Sequence, residues 1–225
     1  MIYAIAGFLL GFLIPYIARR FAKFMPATFA YALWQIVFSG KCGCKKGKKS
    51  PRYAQLCRGY FWRSLMAGLL TCGLFYTAFV YWGAEGCVFR CAFIWILLLL
   101  AEIDYRMYLL PDILTIPLLL LGLLSGVFDA GYVILQDAVV AANVGYFLPV
   151  AASLLFVKKN KDAFGGGDVK LLAALGAWLG LEGMLAAIVV SCGLFFVWAV
   201  IKRQRSGAYG PALAIAGIIV AFWYF

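Results

Sequence analysis

The sequence predicts an all-α, polytopic membrane protein with about eight transmembrane helices and a small basic cytoplasmic insert. Of the 225 residues, 66% are hydrophobic and only 13% are charged. Several apolar runs approach the ~20 residues that are needed to cross the core of a bilayer. The chain contains no long polar stretch besides the insert, so we expect a single membrane assembly rather than a separate soluble domain.

The N-terminal part, residues 1–86, is predicted to hold two membrane helices and the insert. The first apolar run, 2–17, is followed by basic residues without a small-residue cleavage site, so we expect a retained helix rather than a removed signal peptide. Within it, Gly7 and Gly11 are spaced for close packing against another helix. Residues 27–38 are apolar but too short to span, and an interfacial segment is expected there. The insert at 39–63 is the most basic part of the chain.

The remaining part, 87–225, is predicted to form a second membrane domain. Short polar turns separate its apolar runs, and each run has a length typical of a membrane helix. With the second helix of the N-terminal part, the expected helices lie at about residues 65–82, 87–103, 113–128, 135–157, 169–181, 183–201 and 210–225.

The distribution of charge predicts the orientation of the chain. If the N-terminus lies outside and every run crosses, all Lys and Arg residues except Arg90 fall on the cytoplasmic side, as the positive-inside rule predicts. The net charge of +11 is then explained by topology, and no nucleic-acid partner is expected. Five acids share this basic side: Glu102, Asp104, Asp112, Asp162 and Asp168.

Two aspartates are the strongest candidates for chemistry. The apolar run at 93–101 leads to Asp104, and the glycine run at 165–167 delivers Asp168 to the start of another apolar helix. A carboxylate at the edge of hydrocarbon is costly, so a chain that keeps one there usually uses it. If the two meet in a poorly solvated site they cannot both ionise readily, and one proton is shared. The ionised member can activate water while the protonated member serves the carbonyl and the leaving amine.

The residues around these aspartates have structural alternatives. Gly165 and Gly167 belong to a run that permits backbone conformations closed to other residues and leaves room for a substrate strand. Alternatively, Asp168 could simply be an N-cap residue, and Asp112, which follows Pro111, has N-capping as its expected role. Two cations flank the aspartates, and snorkelling to the interface is the ordinary expectation for them: Arg106 and Lys170.

Histidine is absent from the chain, which excludes a His-Glu-x-x-His zinc protease and any Ser-His-Asp or Cys-His arrangement. The seven cysteines are mostly within predicted helices or the cytoplasmic insert, where disulfides are not expected. Cys42, Cys44 and Cys57 of the insert could contact zinc, but a closed zinc site takes four ligands. A basic loop that binds membrane lipid is at least as good an interpretation.

Three ordered segments resemble the type IV prepilin peptidases, the bacterial GxGD aspartyl proteases. The run from Gly165 through Asp168 to Gly180 is similar to the family's glycine-aspartate motif, and Asp104 through Pro111-Asp112 is similar to its other aspartate motif. The segment Tyr209-Gly210-Pro211-Ala212-Leu213-Ala214 resembles its C-terminal FGPxLA segment.

The resemblance implies a multi-pass protease of the bacterial inner (plasma) membrane, with Asp104 and Asp168 as the catalytic pair facing the cytoplasm. Its substrates would be prepilins or pseudopilins of type IV pilus or type II secretion systems, with a basic leader and a hydrophobic helix. The peptidase would need no cofactor.

The N-terminal part departs from the family pattern. Many members also methylate the new N-terminus with S-adenosylmethionine, through a region with two CxxC pairs. Here only Cys42, Cys44 and Cys57 stand in that place, and Ser64, Leu65 and Gly68 replace three residues of the family's RYPxVExxT segment. Methylation and zinc binding are therefore left open beside the peptidase. A proton- or cation-coupled transporter that uses the same aspartates, and a non-catalytic assembly factor, are the rival functions.

Overall fold

The computed structural model describes residues 2–24, 51–83, 86–128, 133–156, 165–203 and 207–224. Every regular element within these ranges is an α-helix, which confirms the predicted all-α class. The helices are α1 (Ile2–Phe24), α2 (Pro51–Trp82), α3 (Cys87–Met107), α4 (Asp112–Val127), α5 (Leu135–Phe156), α6 (Gly166–Lys202) and α7 (Gly210–Tyr224).

Several of these helices are long and apolar enough to cross a membrane. In the part of the chain that the structure describes, four stretches meet that criterion: Ile2–Arg19, Phe61–Trp82, Leu135–Ser153 and Gly166–Lys202. Two further helices, α4 and α7, are apolar but shorter. The chain is therefore a multi-pass membrane protein, as its composition predicts.

The described residues form seven helices rather than the expected eight, because the predicted helices at 169–181 and 183–201 are joined in α6. Gly180 divides α6, with φ 71° and ψ −177°, a backbone conformation outside the helical region. Leu172 and Ile188, on either side of Gly180, would lie about 24 Å apart in a straight helix. Both line one small cavity, so the two halves of α6 fold back on each other. The predicted turn is real and falls at Gly180.

Three helix boundaries differ from the sequence-based expectation. α2 begins at Pro51, well before residue 65, so the described part of the basic insert is helical. Proline is well suited to the first helical position because it lacks a backbone N–H. α3 continues to Met107, which places Asp104 inside its last turns, and α6 begins at Gly166. The predicted interfacial segment at 27–38 lies outside the described residues.

The chain divides into two compact units, Met1–Thr77 and Ala78–Phe225. In the first unit, α1 packs closely on α2 through its two glycines. A Cβ atom on Gly7 would lie 2.9 Å from the carbonyl oxygen of Thr71, and one on Gly11 would lie 2.7 Å from that of Ala67. The predicted close packing at this glycine pair is confirmed, and it needs the absence of both side chains.

In the second unit, the first half of α6 forms the core. Every residue from 171 to 180 is buried, so other helices cover this segment on all sides. The indole of Trp178 is fully buried; its Nε1 donates to the carbonyl of Leu118 on α4 at 2.8 Å, and its ring lies 4.7 Å from that of Phe93 on α3. Gly176 packs against the backbone of Ala141 on α5. Asp168 thus lies three residues before this fully buried segment.

Candidate active site

Four helix ends meet at one end of the second unit. The ammonium of Lys170, in the first turn of α6, lies 2.6 Å from Oδ2 of Asp112 in the first turn of α4. The N–H of Gly210, at the start of α7, donates to Oδ2 of Asp104 near the end of α3 at 3.0 Å. Asp168 lines a cavity with Tyr209, the residue before α7. The three aspartates that the sequence placed at one rim therefore lie at one rim.

Asp104 is held in a buried position by the start of α7. Its side chain is only 5% exposed and accepts the Gly210 hydrogen bond. A Cβ atom on residue 210 would lie 2.6 Å from the Asp104 carboxylate oxygen, so only glycine permits this approach. The first backbone N–H groups of a helix have no partner within the helix, and a carboxylate is a favourable one.

Asp168, the third residue of α6, lies at the same rim as Asp104. The half-buried side chain lines a cavity of about 80 Å³. The rest of the cavity is mostly apolar, formed by Leu148, Pro149, Ala152, Leu172, Ile188, Tyr209 and Leu213. Tyr209 lines this cavity beside Asp168, and the next residue, Gly210, donates its N–H to Asp104. The structure thus brings together the two aspartates that the sequence singled out on separate helices.

The alternative role of Asp168 as an N-cap residue is wrong. The N-cap of α6 is Gly165, and Asp168 lies within the first helical turn. Asp168 therefore does not occupy the cap position, and it lines the cavity.

The glycine run acts by its small size rather than by unusual backbone angles. Gly165 has φ −66° and ψ 132°, which other residues also adopt, so the expected glycine-only conformation is wrong there. At Gly167 a Cβ atom would lie 2.7 Å from Cβ of Leu110, so the run packs tightly on the connection before α4. Gly166 is exposed, and a Cβ atom there would meet nothing within 4 Å. One side of the run is packed and the other is open.

The predicted N-cap role of Asp112 is also wrong. Pro111 occupies the N-cap position of α4, and Asp112 in the first turn pairs with Lys170 instead. The two side chains are 53% and 39% exposed, so this ion pair contributes at most about 1 kcal/mol. Its main consequence is geometric, since it ties the first turns of α4 and α6 together.

Arg106 pairs with Glu102 one helical turn earlier on α3, through Nε at 2.7 Å from Oε1. Arg106 and Lys170, the two cations beside the aspartates, therefore each contact a carboxylate other than Asp104 and Asp168.

Tyr209 is a site residue that sequence reasoning did not single out. Its hydroxyl lies 2.5 Å from Oγ of Ser191 on the second half of α6, and burial raises the pKa of Tyr209 to about 12. The segment Tyr209-Gly210-Pro211 stood out only through the family resemblance. Its proximity to both aspartates depends on how α7 docks, which no local sequence pattern specifies.

Within the described residues there is no group of three or more His, Cys, Asp or Glu side chains that could hold a metal ion. Of the zinc candidates, Cys42 and Cys44 lie outside the described residues, and so does the side chain of Cys57. The zinc hypothesis remains a prediction.

Fold and site together define a class: a polytopic membrane protein in which two carboxylates from different helices converge at one rim. Residues 91–201 match the model of the type IV leader peptidase family. This region, which contains both aspartates, is similar to that family, and the resemblance inferred from the three motifs is confirmed.

Curated relatives agree with this assignment. The chain is 36% identical over 192 residues to the prepilin leader peptidase/N-methyltransferase of Neisseria gonorrhoeae, an alignment that covers 82% of this chain and 62% of the relative. Proteins of the same name from Xanthomonas campestris pv. campestris and Stutzerimonas stutzeri are 44% and 34% identical over 135 and 196 residues. These alignments cover 56% and 84% of this chain, and 47% and 64% of the relatives. The chain thus spans less than two thirds of the length of each relative. No solved structure matched the chain.

Proposed function

We propose that the protein is an aspartic endopeptidase that removes the basic leader from prepilins or pseudopilins at a membrane boundary. The observation that carries this proposal is the convergence of Asp104 and Asp168 at one rim of the bundle. The names of the relatives state the same reaction for those proteins. The transporter alternative is not supported, because both acids lie near helix ends rather than beside a helix break at mid-membrane.

The mechanism assigns complementary work to the two carboxylates. One aspartate, ionised, removes a proton from a water molecule that attacks the scissile carbonyl. The other, protonated, donates a hydrogen bond to that carbonyl and later delivers a proton to the leaving amine. The N–H of Gly210 orients Asp104 for this work, and the apolar cavity around Asp168 limits competing water.

The glycine run supports the approach of a peptide. The exposed, uncrowded Gly166 lies two residues from Asp168, so an extended substrate backbone can pass close to the carboxylate. The carboxylates of Asp104 and Asp168 suit a leader that carries positive charge, since Asp112 and Glu102 are already paired with Lys170 and Arg106. A hydrophobic substrate helix would remain in the lipid beside the bundle.

We place the protein in the bacterial inner (plasma) membrane with the acid pair facing the cytoplasm. The bias of Lys and Arg toward the same side as the pair supports this orientation. The helices would be embedded in membrane lipid, and the basic residues on the cytoplasmic side would contact its headgroups.

Methylation by S-adenosylmethionine, and zinc binding by the cysteine insert, are secondary proposals. The relatives carry N-methyltransferase in their names. In this chain the insert offers Cys42, Cys44 and Cys57, one thiol short of a four-ligand site. We therefore expect the peptidase to act without either group.

The test is to incubate the purified full chain, in detergent or liposomes, with a prepilin that has a basic leader and a hydrophobic helix. Mass spectrometry of the product reports the cut site and any added methyl group in one spectrum. We expect a single cut at the end of the leader. An intact precursor, under conditions in which a known prepilin peptidase cuts it, would refute the proposal.

A further inference from the structure

The short segment before α7 is anchored on the second half of α6. The hydroxyl of Tyr209 meets Oγ of Ser191 at 2.5 Å, and its ring contacts that of Phe195 edge to face at 5.7 Å. Nearby, Gly207 lies directly against the indole of Trp198, with no room for a side chain. The segment therefore has a fixed position relative to this half of α6.

The hydrogen bond between the two hydroxyls has a defined direction. The Ser191 hydroxyl donates to the carbonyl of Ile188 at 2.8 Å, so its oxygen is left to accept the proton of Tyr209. Because burial raises the pKa of Tyr209 to about 12, the phenol keeps that proton at neutral pH. Ser191 is fully buried, so its oxygen is shielded from water.

This bond connects the surroundings of both catalytic candidates. The next residue after Tyr209 is Gly210, whose N–H holds Asp104. The Tyr209 side chain also forms part of the wall of the cavity that Asp168 lines, together with Ile188. A displacement of Tyr209 would therefore move the donor of one aspartate and open the cavity of the other.

We propose that Tyr209 is a positioning residue, and that its hydrogen bond to Ser191 sets the geometry of the Asp104–Asp168 pair. This inference rests on the proposed peptidase function. The motif that this segment resembles begins with phenylalanine, so the Tyr209 hydroxyl is an addition to that motif. The alternative is that the two hydroxyls only satisfy each other's hydrogen-bonding capacity inside an apolar bundle. In that case their loss would lower stability without changing kcat.

The experiment compares Tyr209→Phe, Ser191→Ala and the double variant in the prepilin cleavage assay. Each single variant is expected to lower kcat by about three- to tenfold, with KM within about twofold of wild type, because the bond orients reacting groups rather than substrate. The double variant should be no slower than the slower single variant, since both changes remove one bond.

Two matched variants serve as controls. Ser125→Ala removes another buried hydroxyl that donates to the carbonyl three residues earlier, here Gly122. Tyr146→Phe removes a hydroxyl from an exposed tyrosine of α5. Both should keep the wild-type kcat, and thermal unfolding of every variant reports any loss of stability separately.

The inference is overturned if the single variants keep the wild-type kcat, if the two losses multiply in the double variant, or if the fall in kcat only follows the fraction of unfolded protein. An active wild type with any of these outcomes refutes the positioning role alone. A wild type that cuts no prepilin refutes the proposed function as well.

Discussion

The two ends of the second unit both carry a pair of acids beside a cavity, yet only one has the features of an active site. At the end opposite to Asp168, Asp137 and Glu182 line a cavity of about 420 Å³ around Gly180. Both of these side chains are exposed to solvent. At the other end the cavity is smaller, but Asp104 is buried and receives a backbone hydrogen bond.

The number of acids and the size of the cavity therefore do not identify the site. The informative features are burial of a carboxylate, a donor aimed at it, and glycines that permit close approach. Exposed acids on a membrane protein are solvated and ordinary, whereas a buried pair on separate helices is costly unless it is used.

The largest expected difference between the two ends is in turnover. Asp168→Asn should lower kcat for prepilin cleavage by at least about 10²-fold, because the amide can neither accept nor supply the transferred proton. Glu182→Gln, the corresponding change at the opposite end, should leave kcat within about twofold. Equal losses for both variants, measured by the appearance of mature pilin, would remove the distinction between the ends.

A second test concerns the donor at Asp104. Gly210→Ala would place a methyl group 2.6 Å from the carboxylate and displace either Asp104 or the start of α7. We expect a loss in kcat of about 10-fold or more, since small misplacements of reacting groups are costly. Gly193→Ala, at a position where a Cβ atom meets nothing within 4 Å, should be active and at least as stable. An active Gly210→Ala enzyme would show that the close approach is not required.

At the opposite end, Gly180 should matter for folding rather than for chemistry. Its φ of 71° and ψ of −177° belong to a region that is almost restricted to glycine, and a Cβ atom would lie 3.0 Å from Val133. Gly180→Ala should therefore lower the free energy of unfolding by about 1–3 kcal/mol. Thermal unfolding in detergent measures this, while the kcat of the folded protein should stay near that of wild type. A stable Gly180→Ala variant would argue against a tight turn at this point.

The smallest effect is expected for the exposed ion pair beside the site. Lys170→Met, Asp112→Asn and the double variant form a cycle whose coupling energy in thermal unfolding should be at most about 1 kcal/mol. A coupling well above this value would mean that the pair is shielded from solvent more than its exposure indicates.

Sequence reasoning anticipated those parts of the molecule that depend on local pattern. The apolar runs predicted the membrane helices. The positions of the acids predicted that Asp104 and Asp168 lie at the same rim. The spacing of Gly7 and Gly11 predicted the close packing of α1 against another helix, which is α2. Each of these follows from hydrophobicity, charge or residue size along a single stretch of chain.

Features that depend on contacts between distant elements were missed or misassigned. Asp112 was expected to cap its own helix, but Pro111 has the cap position and Lys170, on another helix, provides the partner. The Gly210 donor to Asp104 and the Tyr209 bond to Ser191 each join residues of different helices. Nothing in local spacing selects which helix start will meet a given acid.

The joint role of the two carboxylates is measured by the rate of prepilin cleavage by Asp104→Asn, compared with Asp168→Asn on the same substrate. If the two carboxylates work as one unit, loss of either should reduce the rate to the same residual level, at least about 10²-fold below wild type. An Asp104→Asn protein that is folded and still cuts at more than about a tenth of the wild-type rate would contradict the paired-aspartate account.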